Sequence, residues 1–236
     1  MKVNFFKASL SMLLCSSLLA SCVSSKKYED LQASKEALER EQAASRQKVD
    51  ELTASLKDRE QKLAQMERAM NEQQKVLDNL KNEVNTALQG FNQGDLHVSI
   101  RDGKVYVSMS DKLLFATGST KVNTNGKRAI DQLVSVLTKN QQVGVMVEGH
   151  TDDVSVLTGM RYLTDNWDLS VLRATEITRM MTEKGLSPDR VTAAGRSFYM
   201  PVDTGRSAEA KAKNRRTEII LTPDFTEIYK ILGIQA

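Results

Sequence analysis

From Tyr28 to Phe91 the chain has no proline, and its one glycine there is Gly90. A frame that steps alternately three and four residues runs through the whole stretch without a slip. It touches Leu31, Leu38, Val49, Leu52, Leu56, Leu63, Met66, Met70, Leu77, Leu80, Val84, Ala87 and Phe91. The residues between are mainly Glu, Lys, Gln, Asp and Arg. Such a pattern is that of one long helix, and a stripe sustained over this many heptads is a coiled-coil seam. About 60 helical residues reach roughly 90 Å at ~1.5 Å rise, a spacer length rather than a core length. Lys35, Gln42, Ser45, Arg59 and Gln73 also fall on the seam. Polar residues there set register at a cost in stability, so the end nearest Tyr28 is expected to be loosest. A single solvated helix held by i,i+4 charge pairs is the alternative. Self-association into a homo-oligomer is favoured, because a lone helix would leave the whole apolar stripe wet.

Ahead of this stalk, Lys2 and Lys7 flank the start of a short apolar run, Ala8 to Ala20. The run is too short to span a bilayer and has the make-up of a secretory signal. It ends in Leu19-Ala20-Ser21-Cys22, which resembles the bacterial lipobox. That resemblance implies cleavage after Ser21 and acylation of Cys22, and two or more acyl chains anchor stably where one does not. The other cysteine, Cys15, leaves with the signal. The mature protein then has no thiol for a disulfide, a redox site or a nucleophile.

Beyond the stalk, Gly90 and Gly94 break the helix. LHVSI and KVYVSM alternate around RDG, a hairpin signal. DKLLFATGS is a short apolar element with a polar loop, and Val122 to Leu137 has helical spacing. VGVMVEG reads as a buried strand. Asp168 to Lys184 reads as a helix with Leu169, Leu172, Ile177 and Met180 facing inward, stopped by Gly185. RVTAAG is a short strand, Ser197 to Asn214 a polar loop, and RRTEIIL the last strand. Helices that alternate with strands after a hairpin indicate an α+β or α/β sandwich of about 130 residues, a usual domain size. With 40% hydrophobic and 27% charged residues, bulk disorder is excluded. A net charge of +3 and 5% aromatics give no footprint for nucleic acid.

The stretch VEGHTDD, Val147 to Asp153, sets an apolar strand against Glu148, His150, Asp152 and Asp153. Glu148, His150 and Asp152 alternate, so they could share one side of an extended strand and hold a cation. There is no HExxH and no second His cluster, so no metal is expected. His150 then reads as a buried, hydrogen-bonded side chain that orients the loop. Asp152 and Asp153 are adjacent, so their side chains diverge rather than flank one bond as a glycosidase pair must. The chain lacks G-x-S-x-G and a phosphate loop. No catalytic residue and no cofactor are expected; a binding module fits better.

FATGS, VEGHTDD, NWDLSVLRA, GLSPDRVTAAG and NRRTEIIL, in that order, resemble the signatures of the OmpA-like peptidoglycan-binding domain. Those signatures occur in the C-terminal domain of OmpA, in the peptidoglycan-associated lipoprotein and in MotB. The resemblance covers roughly Lys112 to Leu221 and leaves out the stalk. It implies an α+β fold, a sandwich of helices on a mixed sheet. It implies a ligand as well: the meso-diaminopimelate of the peptidoglycan stem, with an ammonium and a carboxylate on one carbon. Asp152 matches the aspartate that takes the ammonium. Arg173 matches the arginine that takes the carboxylate, where a planar fork suits bidentate pairing. Thr151, Asn166 and Leu169 match neighbouring contact positions. Asn214 and Arg215 fall in the signature beside the same pocket, while Arg216, the alternate residue of the strand, faces elsewhere. The loop between the anchors is longer than in compact relatives and most like the MotB type. It places Arg161, Tyr162 and Trp167 within reach of glycan or peptide, with Trp167 expected to pack beneath it.

The expected organisation is a signal peptide at 1–21, a lipidated tether at 22–27, a coiled-coil stalk at 28–91, an OmpA-like domain at 95–225 and a tail at 226–236. The residues after Cys22 are Val23, Ser24 and Ser25, with no aspartate next to the cysteine. By resemblance to enterobacterial sorting this implies an outer-membrane anchor facing the periplasm. The function implied is a non-catalytic lipoprotein that tethers the outer membrane to peptidoglycan. The alternative is a component of a motor, secretion or stator-type complex that uses the same domain as its anchor. Cys22→Ala is expected to leave an unlipidated precursor or soluble product; incorporation of labelled fatty acid into that variant would overturn the lipobox assignment.

Overall fold

The computed structural model describes residues 25–116, 119–156 and 163–231. The signal peptide, Cys22, Arg161, Tyr162 and the last five residues lie outside them. The chain divides into two units, Met1–Leu63 and Ala64–Ala236. In the first unit, α1 (Ser25–Ala87) begins. Its apolar seam residues Leu31, Leu38, Val49, Leu52, Leu56 and Leu63 are all exposed. Among the described residues no helix is long and apolar enough to cross a membrane.

In the second unit the end of α1 changes role. Leu77, Leu80 and Val84, with Leu88 just beyond, are buried in the core of the domain. Asn140 donates to Glu83 Oε2 at 2.7 Å, and the Arg128 guanidinium lies over the Phe91 ring. The stripe read as seam as far as Phe91 therefore finds its partner inside its own chain from Leu77 onward. Seam and core share one spacing, i, i+3, i+4, i+7, so periodicity alone does not say which partner covers it.

The domain is built on β1 (Leu96–Arg101), β2 (Lys104–Ser110), β3 (Val143–His150), β4 (Val191–Gly195) and β5 (Arg216–Pro223), in the order β1-β2-β5-β3-β4. Among the described strand pairs, β3 and β4 alone run parallel. The hairpin turns on Asp102 and Gly103, both at positive φ, the primed two-residue turn that matches strand twist. Helices α2 (Asp111–Leu114), α3 (Thr124–Leu137), α4 (Asn166–Glu183), α5 (Ala208–Asn214) and α6 (Thr226–Ile231) complete it. This is the α+β architecture the sequence implied. The apolar rows Val105–Leu221–Val145 and Val107–Ile219–Val147 run across the sheet into one core with Ile130, Leu133, Leu137, Ala174, Ile177 and Met181.

Two local expectations fail. α4 buries Ser170, Arg173, Ala174, Ile177 and Met181, whereas Leu172 is exposed and Leu169 and Met180 are only part-buried. The reason is close approach. A Cβ on Gly149 would sit 2.1 Å from the Ser170 carbonyl oxygen, and one on Gly195 2.4 Å from Ser170 Oγ. Small residues let the helix settle on the strands, and its larger leucines turn aside. The loop expected over Ser197 to Asn214 contains α5, capped by Ser207 Oγ, which accepts from the Ala210 N–H at 3.1 Å. AEAKAKN has no apolar periodicity to announce it. The segment set apart as a tail begins with α6.

The reverse face of the sheet is polar at one end. Register places Ser108, Glu218 and Glu148 in one row and Ser110, Arg216 and His150 in the next. Glu218 Oε1 accepts from Arg101 and from Arg216, each at 3.0 Å. Glu148 Oε2 accepts from Arg196 at 2.9 Å, and its Oε1 lies 3.2 Å from His150 Nε2. His150 and then Arg196 hold the Glu148 carboxyl down from the usual 4.5 to about 2, although burial opposes them.

Two predictions test these assignments. Leu80→Ala is expected to destabilise the domain by about 3 kcal/mol in urea unfolding, although Leu80 belongs to the long helix, whereas Leu38→Ala leaves domain unfolding unchanged. Because the folded-state pKa of Glu148 is depressed, its contribution is complete above about pH 4.5 and is lost as pH falls towards 2. That contribution is on the order of a few kcal/mol at most. Glu148→Gln should flatten the fall in stability across that window; an unchanged acid profile would refute the network.

Candidate functional site

β5 lies antiparallel between β2 and β3, so the ends of β2 and β3 and the start of β5 meet at one edge of the sheet. Each junction carries a charge. Asp111 follows β2, Thr151 and Asp152 follow β3, and Arg215 precedes β5. α4 adds Arg173 two turns from its start. Asp111, Phe115, Thr151, Asp152, Asn166, Leu169, Arg173, Val202 and Arg215 line one open cleft.

Asp152 is buried. Its Oδ1 accepts from the Val154 N–H at 3.1 Å, and its Oδ2 accepts from Arg215 Nη1. Asn166 Nδ2 donates to the Asp152 and Val154 carbonyls at 3.3 and 3.0 Å, which pins the loop after β3. The Thr151 hydroxyl donates to the Asp152 carbonyl at 3.0 Å. Arg173 is buried too and is held on three sides. Its Nη1 lies 2.6 Å from Asp111 Oδ1, its Nε and Nη2 donate to the Ser119 carbonyl at 3.3 and 3.2 Å, and its guanidinium sits over the Phe115 ring. Burial raises the Asp111 carboxyl above the ordinary range, against the pull of Arg173 and Arg215. Burial also lowers Arg173, opposed by Asp111.

The cleft thus holds two carboxylates and two guanidiniums already paired with one another. Buried charges are tolerable in this form, since each desolvated ion has a partner. Among the described residues of the cleft, no nucleophile stands next to a base. It can exchange partners: an ammonium can replace Arg215 at Asp152, and a carboxylate can replace Asp111 at Arg173.

Of the residues singled out in the sequence, Asp152, Arg173, Thr151, Asn166, Leu169 and Arg215 come together here. Asn214 does not. Its side chain accepts from the Val202 and Asp203 N–H groups at 2.9 and 3.0 Å and donates to the Asp203 carbonyl at 2.7 Å, stapling a neighbouring loop. Trp167, expected beneath the loop, is exposed. Asp111, Phe115 and the Ser119 carbonyl were missed. Asp111 directly follows the alternating run KVYVSMS, and no motif marks it.

The three alternating residues of VEGHTD part company. Asp152 enters the cleft, while Glu148 and His150 join the network on the reverse face. With Glu218 these two offer ligand atoms within 4.8 Å of one another. Arg101, Arg196 and Arg216 already answer the two carboxylates, so no net negative charge is left to draw a cation.

Residues 114–215 match the model of the OmpA family. The Escherichia coli K12 protein named "Probable lipoprotein YiaD" is 29% identical over 119 residues, half of this chain and 52% of that one. A solved MotB-like protein from Desulfovibrio vulgaris superposes with a TM-score of 0.60 at 24% identity, over 68% of this chain and 96% of that one. The structure of the cell wall anchor of the T6SS from Pseudomonas aeruginosa superposes at 0.52 with 28% identity, over 63% and 97%. The chain spans about half the length of the curated relatives it matches. Residues 114–215 are thus the matched part of an OmpA-like domain, which a long helix precedes.

Proposed function

We propose that the protein is a non-catalytic envelope lipoprotein that tethers the outer membrane to peptidoglycan. Its cleft grips the amino-acid head of meso-diaminopimelate, with the ammonium on Asp152 and the carboxylate on Arg173. The observation that carries this reading is the charge balance of the cleft. Asp111, Asp152, Arg173 and Arg215 sum to zero, and each anchor is paired with an internal group of the same sign as the ligand's end. A zwitterionic head enters by exchanging both partners and leaves no net charge behind. A lone anion or cation satisfies only one anchor. The OmpA family match and the likeness to a cell wall anchor support the same ligand class. The lipid on Cys22 supplies the membrane end, in the outer membrane facing the periplasm. The exposed seam of the stalk supplies self-association.

A second reading keeps the domain and changes its assembly. The likeness to the T6SS anchor, at 28% identity, favours a role as the wall-binding part of a secretion or stator-type complex. Cross-linking of the stalk in intact cells to an inner-membrane assembly would favour that reading over a free tether.

The test is a pull-down with purified sacculi. Asp152→Ala or Arg173→Ala leaves a desolvated charge without its partner, a loss of about 2–5 kcal/mol, so each variant should bind at least roughly thirtyfold more weakly. The double variant should lose much less than the sum, because both contacts serve one head. Asp153→Ala, whose carboxylate pairs with Lys211 at the surface, should bind as wild type. Sacculi with lysine at the third position lack the side-chain carboxylate and should bind poorly; equal binding to both chemistries would sink the assignment.

A further inference from the structure

Apolar side chains gather in the open beside the cleft. Trp167 is 46% exposed and Tyr199 62%, and Phe198, Met200 and Val202 are exposed with them. The Trp167 and Tyr199 rings stack with centroids 5.5 Å apart and planes at 29°. Phe198 stacks on Tyr199 at 4.4 Å and 25°. The platform is braced from below. The Ser197 N–H donates to Ser170 Oγ at 3.2 Å, and the Arg216 guanidinium donates to the Met200 carbonyl at 3.3 Å. Asp165 accepts from the Trp167 N–H at 2.8 Å. Exposed apolar clusters on a fixed backbone mark binding surfaces. Trp and Tyr give large contact area at small conformational cost.

The geometry points to a saccharide-binding shelf, formed by Trp167, Phe198 and Tyr199, that takes pyranose rings of the glycan strand. This rests on the reading of the cleft and adds a second contact to it. The shelf is continuous with the cleft rim. Asn166 and Leu169, which flank Trp167 on α4, line the cleft, and so does Val202, three residues after Tyr199. Thr151, next to Asp152, donates its N–H to the Ser197 carbonyl at 2.9 Å, two residues before Tyr199. A stem-peptide head held in the cleft is a side branch of a polysaccharide. Its diaminopimelate is the third residue from the sugar, so two residues, the lactyl link and one side chain, on the order of 20 Å when extended, separate head and sugar. That reach puts the glycan within range of the rim, where the aromatic platform begins. The C–H faces of pyranose rings suit flat aromatic surfaces. Their hydroxyl edges suit the Tyr199 hydroxyl at the margin of the platform. A protein partner would need roughly 20–30 residues a side, far more than this platform offers.

Trp167 is the only tryptophan in the chain, so its emission reports the shelf directly. The full-length protein is titrated with a disaccharide-tripeptide muropeptide, with the same tripeptide freed of sugar, and with chitotetraose. The muropeptide should bind about fivefold tighter than the bare tripeptide and shift Trp167 emission, whereas the bare tripeptide shifts it little. Tyr199→Ala should abolish the difference and keep the affinity for the bare tripeptide, which also certifies its fold; Tyr199→Ser serves if the first variant fails to fold. Equal affinity of the wild type for the two ligands, or a Tyr199 variant weakened for both alike, overturns the shelf. If neither peptide ligand binds the wild type, the cleft reading has failed, and chitotetraose decides the shelf alone. A shift of Trp167 emission then upholds it, and no shift ends it.

Discussion

Four buried or half-buried charges at one edge of a sheet can coexist only because they cancel. The pairs Asp111 with Arg173 and Arg215 with Asp152 are the constraint around which the domain is arranged. Taking two charges of each sign out of water is costly, and the cost is offset only when geometry is close and remaining polar groups are satisfied. The surroundings are organised to that end. Asn166 ties the loop after β3, the Ser119 carbonyl and Phe115 ring cradle Arg173, and the Asp111 N–H donates to the Arg215 carbonyl at 3.0 Å. Placing β5 antiparallel between β2 and β3 is what delivers three of the four side chains to one place.

The same sheet carries a second set of charges on its other face, from the same motif. Glu148 and His150 precede Asp152 by four and two residues, yet they serve stability rather than the cleft. Alternation continues only while the backbone stays extended. Beyond His150 the strand ends, the Thr151 N–H turns to the Ser197 carbonyl, and Asp152 is free to enter the cleft. One short run of sequence thus supplies both a member of the charge network on the reverse face and a carboxylate of the cleft.

Much of the fold was legible in the sequence. Alternation, the Asp-Gly turn and helical spacing located the hairpin, three further strands and the main helices. Six of seven proposed cleft residues meet in one place because the motifs that suggested them sit at element ends, where topology gathers them. The rest was hidden for physical reasons. Asp111 makes its contact across the fold, to a residue 62 positions away, and local pattern carries no trace of such a pair. α4 rests on glycines, so its buried stripe is small rather than greasy, and a hydrophobic template misplaces it. α5 lacks apolar periodicity altogether. The partner of Leu77, Leu80 and Val84 was ambiguous because a helix stripe records that it is covered, not by what.

That last feature has a mechanical side. The long helix does not end in a slack linker before the domain. Its final turns, through Leu77, Leu80, Val84 and Leu88, are part of the core on which the sheet packs. Tension drawn along the helix is therefore delivered into that packed interior and resisted by side chains that must all slip together. A flexible joint would first extend and absorb the pull. From Leu77 onward the load meets the domain core directly, as in a rod cast into its fitting rather than hinged to it.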